Sequence, residues 1–131
     1  MKTIDVIAGL IRFPFEKYLI GQRPPGKKFG RLWEFPGGQL EDGETHEECL
    51  YREIEREEFP GMRIKVGPQF EESSYEDEEL KIRLFGYRVE YISGIFQVKA
   101  HTRLAFPFPG EMKNYDFVDA DKVFVRKLQG L

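Results

Sequence analysis

The 131-residue sequence predicts a mixed α/β fold in which a central helix packs on a sheet. Three observations carry that prediction. The apolar runs are short, partly β-branched and bounded by Gly and Pro, as strands are. Residues 46–58 combine a helix start signal with a stop signal. The elements follow in the order strands, helix, strands, helix. With 40% hydrophobic and 15% aromatic residues, the chain also has the apolar surface to bury a core.

Residues 3–12, TIDVIAGLIR, read as a buried strand, and 17–23, KYLIGQR, as its hairpin partner. PPGKKFG (24–30) is a Pro/Gly/Lys loop; LWEF is a short extended piece, after which PGG turns the chain. Thr45 and Glu48 form a capping-box pair, so a helix starts near His46, runs to about Glu58 and is stopped by Pro60 and Gly61. Residues 63–75 and 80–92 read as two long strands joined by the acidic loop EDEE, and 95–101 as a further strand. A short helix is expected near 110–112. The last helix is expected over 119–129, with Val123, Val125, Leu128 or nearby apolar positions facing inward.

Composition narrows the function. The net charge is −3, from 20 basic and 23 acidic residues, which gives no reason to expect a binder of duplex nucleic acid. A small anionic substrate is still compatible, because a local site can oppose the global charge. Cys49 is the single cysteine, so no intrachain disulfide forms and a reducing compartment fits. The N-terminal apolar run is interrupted by Asp5 and no small-residue cleavage site follows it. No apolar run approaches the roughly 18 residues of a membrane span. The expectation is a soluble cytoplasmic protein without a membrane partner, monomeric or homodimeric.

On a helix turning about 100° per residue, Leu50 and Ile54 mark one apolar side, with Cys49 beside them. Glu53 and Glu57 fall within the arc from Cys49 to Ile54, four residues apart on one face. Carboxylates that lean inward need an offset. A hard divalent cation such as Mg²⁺ is one; pairing with Arg52, Arg56 or Arg83 is the other. The preceding glycines let the loop fold back under the helix and let backbone N–H groups approach an oxyanion.

The stretch GGQLEDGETHEECLYREIEREEF resembles the Nudix box, G-x5-E-x7-R-E-U-x-E-E-x-G-U with U aliphatic: Gly38, Glu44, Arg52, Glu53, Ile54 and Glu57 match in register. VIAGLIR, LIGQRPPGK, LWEFPGG and YDFVDAD are similar to the MutT-like branch, so the resemblance covers nearly the whole chain. It implies a single Nudix domain over 1–131, with the box at about 38–59, folded as an α/β/α sandwich with a mixed central sheet. It implies Mg²⁺- or Mn²⁺-dependent hydrolysis of a nucleoside triphosphate, whether an NTP, a dNTP, an oxidised purine nucleotide or CTP, to the monophosphate and pyrophosphate. The implied metal ligands are Glu53, Glu57 and a carbonyl of Gly38 or Gly37. Arg52 would orient a box glutamate and Glu44 would support the site. Arg23 and Phe35 would contact the nucleotide, Lys28 or Lys27 the phosphates, and Asp121 the base edge. Plain alternatives stand beside these: loop cations, a core phenylalanine, and a helix cap at Asp121 or Asp119. His101 reads as structural.

The chain departs from the signature in places. Arg56 occupies the first position of the paired glutamates, where it opposes a cation but could meet a substrate phosphate. Taking Glu57 and Glu58 as a shifted pair does not repair this, because Glu58 lies about 100° around from Glu57, away from Glu53. Phe59 stands at the glycine position, with Gly61 two residues late. A later acidic ligand is expected where Ala100 stands; acids in the 76–79 loop could replace it or simply be solvated. Two other functions therefore stay open: a nucleotide-binding module with weak turnover, and a hydrolase of another nucleoside diphosphate-X compound.

Overall fold

A computed structural model describes all residues from Met1 to Leu131. Its spine is β1 (Lys2–Phe13), the strand expected from the first apolar run. β1 lies parallel to β7 (Leu80–Ser93) from Lys2↔Leu80 to Arg12↔Glu90, and antiparallel to β2 (Lys17–Tyr18) and β5 (Gly37–Gln39). β6 (Arg63–Glu76) pairs antiparallel with β7 at the edge. The sheet is therefore mixed. β6 slips register between Val66 and Gln69, the stretch that holds Pro68, which has no N–H to give a ladder.

Because side chains alternate along a strand, β1 feeds two cores. Ile7 and Ile11 pack with Leu50, Ile54, Phe59 and Met62 on the face covered by the central helix. Ala8 and Leu10 pack with Phe35, Phe117, Phe124 and Val125 on the other face. This is the sandwich the resemblance implied.

A second sheet holds β3 (Ile20–Gln22) between β4 (Trp33–Glu34) and β8 (Arg103–Ala105). The expected hairpin partner at 17–23 is thus divided between two sheets. The chain crosses at Leu19, whose fully buried side chain anchors the corner. The strand expected at 95–101 is absent. That segment instead runs along the end of the central helix, where the N–H groups of Gln97 and Lys99 donate to the Pro60 and Glu58 carbonyls, each at 3.0 Å. A helix end leaves carbonyls without partners, and this segment satisfies them.

The central helix opens with the expected capping box: the Glu48 N–H donates to Thr45 Oγ1 at 3.1 Å and the Thr45 N–H to Glu48 Oε1 at 2.9 Å. α1 (His46–Leu50) then widens into a π-helix over Tyr51–Glu58. The Phe59 N–H reaches back five residues to the Ile54 carbonyl at 3.0 Å. The buried spine records the change, stepping from Leu50 to Ile54 and then to Phe59. Near 110–112 the short helix is a 3₁₀ turn, Pro109–Asn114. At the C-terminus a 3₁₀ turn, Asp119–Asp121, leads into α2 (Lys122–Leu128). Phe124 and Val125 face inward there, whereas Val123 is 40% exposed, which corrects the expected facing. No helix is long and apolar enough to cross a membrane.

Candidate active site

The helical carboxylates meet the glycine strand β5. Gly38 lies under Glu53 so closely that a Cβ there would overlap the Glu53 carboxylate and displace it from its present seat. Burial raises the proton affinity of Glu53, opposed by Arg52 and reinforced by the neighbouring Glu57 charge. Glu58 is 5% exposed and its Oε1 accepts the Gly37 N–H at 3.0 Å. Burial pushes its carboxyl well above the ordinary range, with the Glu34 and Glu53 charges adding to the shift.

Glu58 corrects the α-helical reading. Residues five apart stack in a π-helix, so Glu58 joins the Glu53 side and the extra residue is carried outward. That residue is Arg56. It is exposed and does not line the cleft described below. The signal was available in the spacing Leu50, Ile54, Phe59 and in the late Gly61.

Arg52 clamps this cluster. Its Nε donates to Glu44 Oε2 at 2.7 Å, Nη2 to Glu44 Oε1 at 3.0 Å and to the Gln39 carbonyl at 3.1 Å, and Nη1 to Glu53 Oε1 at 2.7 Å. The bidentate bond from Arg52 holds the Glu44 carboxyl down to about 2, and the two carboxylates in turn raise Arg52. Cys49, fully buried beneath, has its thiol pushed up to about 12, first by burial and then by Glu44. It is a packing residue in contact with the Gly38 carbonyl, at 3.6 Å.

Beside the carboxylates opens a cleft of about 350 Å³. Val6, Ala8, Phe35 and Leu84 line its apolar part; Arg23, Glu34, Gly37, Gly38 and Asp121 line the rest. Phe35 is 3% exposed in the core and also forms a wall of the cleft. Asp121 is buried, and its Oδ2 accepts the Phe35 N–H at 2.8 Å, the one protein hydrogen bond its carboxylate makes. Burial and the Glu34 charge raise its carboxyl well above the ordinary range. It does not cap α2: no side-chain cap bond is made there.

Arg23 donates from Nη1 to Glu34 Oε1 at 3.0 Å and from Nε to the Lys28 carbonyl at 2.9 Å. Lys28 lines the cleft, yet its ammonium is engaged by Asp77 at 2.8 Å. Asp77 also accepts the Glu79 and Leu80 N–H groups, so it caps the β6–β7 turn and is no substitute ligand. Ala100 is exposed in the irregular segment, which brings no carboxylate inward. Glu55 accepts the Ile64 N–H at 2.9 Å and fixes the start of β6.

The donors at the carboxylate end are hard oxygens. Glu58 is buried, Glu53 half-buried and Glu57 exposed; the Glu57 charge raises Glu53 and the Glu53 charge raises Glu58, with Arg52 bonded to Glu53, and this chemistry fits a hard divalent ion. No three His, Cys, Asp or Glu side chains are already drawn together at ligand spacing. Glu53, Glu57 and Glu58 are the groups that could close on one.

The NUDIX domain family matches residues 7–127. The CTP pyrophosphohydrolase of Escherichia coli (strain K12) is 34% identical over 121 residues, covering 92% of this chain and 87% of that protein. This chain belongs to the Nudix family. The 8-oxo-dGTP diphosphatase of the same organism is 32% identical over 98 residues, covering 72% of this chain and 71% of its own length. The solution structure of the E. coli ORF135 protein superposes with a TM-score of 0.85 at 31% identity, covering 100% of this chain and 91% of that one. The protein is a MutT-like Nudix hydrolase, an enzyme of a family that generally works with a divalent metal. Glu57 and Glu58 are adjacent at the end of its π-helical segment.

Proposed function

We propose that this Nudix hydrolase cleaves nucleoside triphosphates to the nucleoside monophosphate and pyrophosphate. The observation that carries the reading is the adjacency of two unlike halves. An apolar slot ending on Asp121 also reaches Gly37 and Gly38, which lie against the Glu58 and Glu53 carboxylates. A base in the slot would put its phosphates toward Gly37, Gly38 and the glutamates. The 34% identical relative that acts on CTP and the 32% identical relative named for 8-oxo-dGTP support the substrate class.

Glu53, Glu57 and Glu58 would hold Mg²⁺ or Mn²⁺, with the Gly38 carbonyl as a further oxygen donor. When bound, the ion supplies charge neutralisation at the phosphate oxygens and polarises the attacked phosphorus. The chain's own residues do the rest. Arg52 and Glu44 hold Glu53 in place. Glu53, whose proton affinity burial already raises, takes the proton of the attacking water. Phe35 packs against the base, Arg23 and Lys28 approach the sugar and phosphates, and Asp121 reads the base edge. Burial favours the protonated form of Asp121, which both donates and accepts. Such a substrate and the reduced lone cysteine support a cytoplasmic site of action.

Arg56 and Ala100 are the motives for a binding-only module; the relatives named as pyrophosphohydrolase and diphosphatase support turnover instead. The test is turnover by the purified protein with Mg²⁺ or Mn²⁺ against CTP, the other NTPs, dNTPs, oxidised purine nucleotides and nucleotide sugars, with Glu53→Gln as control. Monophosphate and pyrophosphate from a triphosphate, lost in the control, are expected. Binding without turnover, or turnover of nucleotide sugars alone, would overturn the reading.

A further inference from the structure

We propose that His101 is a positioning residue for Arg23, acting through Glu34; its effect on catalysis rests on the function proposed above, while its effect on Arg23 does not. Residue 101 is far from the glutamates in sequence and makes no wall of the cleft. Its ring is nonetheless built in with care. It lies nearly flat against Phe59, centroids 6.0 Å apart and planes at 15°. On another side it meets Gly21 so closely that a Cβ at 21 would enter the ring. The side chain is 1% exposed.

One polar contact comes from this ring: Nε2 meets Glu34 Oε2 at 2.9 Å. Nδ1 is buried with no hydrogen-bond partner. A proton on Nδ1 would find no acceptor, so the ring carries its proton on Nε2 and donates it to Glu34. A buried polar atom left unpaired is a cost that packing alone would have removed with a phenylalanine. The fold keeps the histidine, and what it gains is one hydrogen bond to one carboxylate.

That carboxylate is central. Its other oxygen accepts Arg23 Nη1 at 3.0 Å, and its charge acts on both Glu58 and Asp121. Glu34 thus stands between the catalytic carboxylates, the base-reading acid and the cation of the cleft. With both of its oxygens engaged, Glu34 cannot rotate about its terminal bond. Arg23, held by Glu34 and by the Lys28 carbonyl, then presents its remaining N–H groups in a fixed direction. Without His101, Glu34 keeps one partner and the guanidinium loses its fixed seat.

The test compares His101→Phe, which fills the site and can stack on Phe59, with His101→Gln, whose amide can donate to Glu34. The first readout is the NMR signal of the Arg23 Nη1 N–H, the group bonded to Glu34, in the free protein. It is expected to be sharp and protected in the native chain and in His101→Gln, and broadened and fast-exchanging in His101→Phe. The second is steady-state kinetics: His101→Phe is expected to raise KM about tenfold with kcat little changed, and to add nothing further in an Arg23→Ala background. An unchanged Arg23 signal in His101→Phe overturns the proposal whatever the substrate is. Equal KM values for the Phe and Gln variants, or effects additive with Arg23→Ala, overturn it too. If no triphosphate is hydrolysed, the functional reading falls, and the Arg23 signal alone decides for or against the positioning.

Discussion

Glu53 and Glu58 stand five residues apart on one turn of a π-helix, and the Glu53 charge helps to raise the Glu58 carboxyl. A buried and a half-buried carboxylate kept at such proximity are a cost to the free protein, so the pair marks function rather than stability. Glu58→Gln is therefore expected to lower kcat/KM by about 100-fold or more, the upper end for disturbing a metal environment, without lowering the melting temperature. Added Mg²⁺ should raise the melting temperature of the native chain and raise that of the variant much less. Full activity in Glu58→Gln, with loss in Glu57→Gln alone, would return the site to an α-helical reading.

Arg56 should be dispensable. It is exposed on the outer side of the widened turn, so Arg56→Ala is expected to keep kcat/KM within about twofold. Deleting Arg56 is the sharper experiment. It turns the Ile54–Phe59 and Glu53–Glu58 spacings from five into four, which is α-helical neighbour spacing, so both the buried spine and the carboxylate pair survive. The deletion variant should fold and retain hydrolysis within an order of magnitude of the native rate. A variant as inactive as Glu58→Gln would show that the π-turn is more than an absorbed insertion.

Much of this was legible in the chain itself. β1, β6 and β7 announce themselves by length and alternation, and the helix start by Thr45 and Glu48, because each signal is local. Glu44, Arg52 and Glu53 were placed together by spacing on the Nudix box, and they are joined by hydrogen bonds. Glu58 was missed because a constant 100° per residue was assumed across a helix that changes its pitch. Glu34 and His101 were missed for another reason. They meet across 67 residues, brought together by a small sheet whose strands are too short to have a readable period.

Acid should loosen the loop clamp first. Glu44 is held at about 2 in the folded chain against an ordinary 4.5, so its contribution is complete above 4.5 and is lost as the pH falls towards 2. Glu53, Glu58 and Asp121 act with the opposite sign: raised in the fold, they contribute most below their ordinary values, and that contribution is lost as the pH rises through their folded values. Melting temperatures across the pH range should show Glu44→Gln flattening the acid limb alone. Glu58→Gln should flatten the limb towards neutrality alone. Identical pH profiles for the two variants would refute the assignment.

Asp121 should make base selection depend on pH. Its carboxyl is neutral below its raised folded value, where it can donate and accept, and ionised above it, where it only accepts. The ratio of kcat/KM for two nucleoside triphosphates whose bases present opposite donor and acceptor patterns should then drift with pH in the native chain. Asp121→Asn keeps an oxygen for the Phe35 N–H and a permanent donor for the base, so the same ratio should be flat. Asp121→Ala is a different perturbation. It strands the Phe35 N–H, which its Oδ2 accepts at 2.8 Å, and should cost about 1–3 kcal/mol of stability, the penalty of a buried donor left unpaired. A selectivity ratio that drifts identically in the native chain and in Asp121→Asn would move base reading away from Asp121. Phe35 and Arg23 would then be the remaining determinants among the residues placed against the nucleotide.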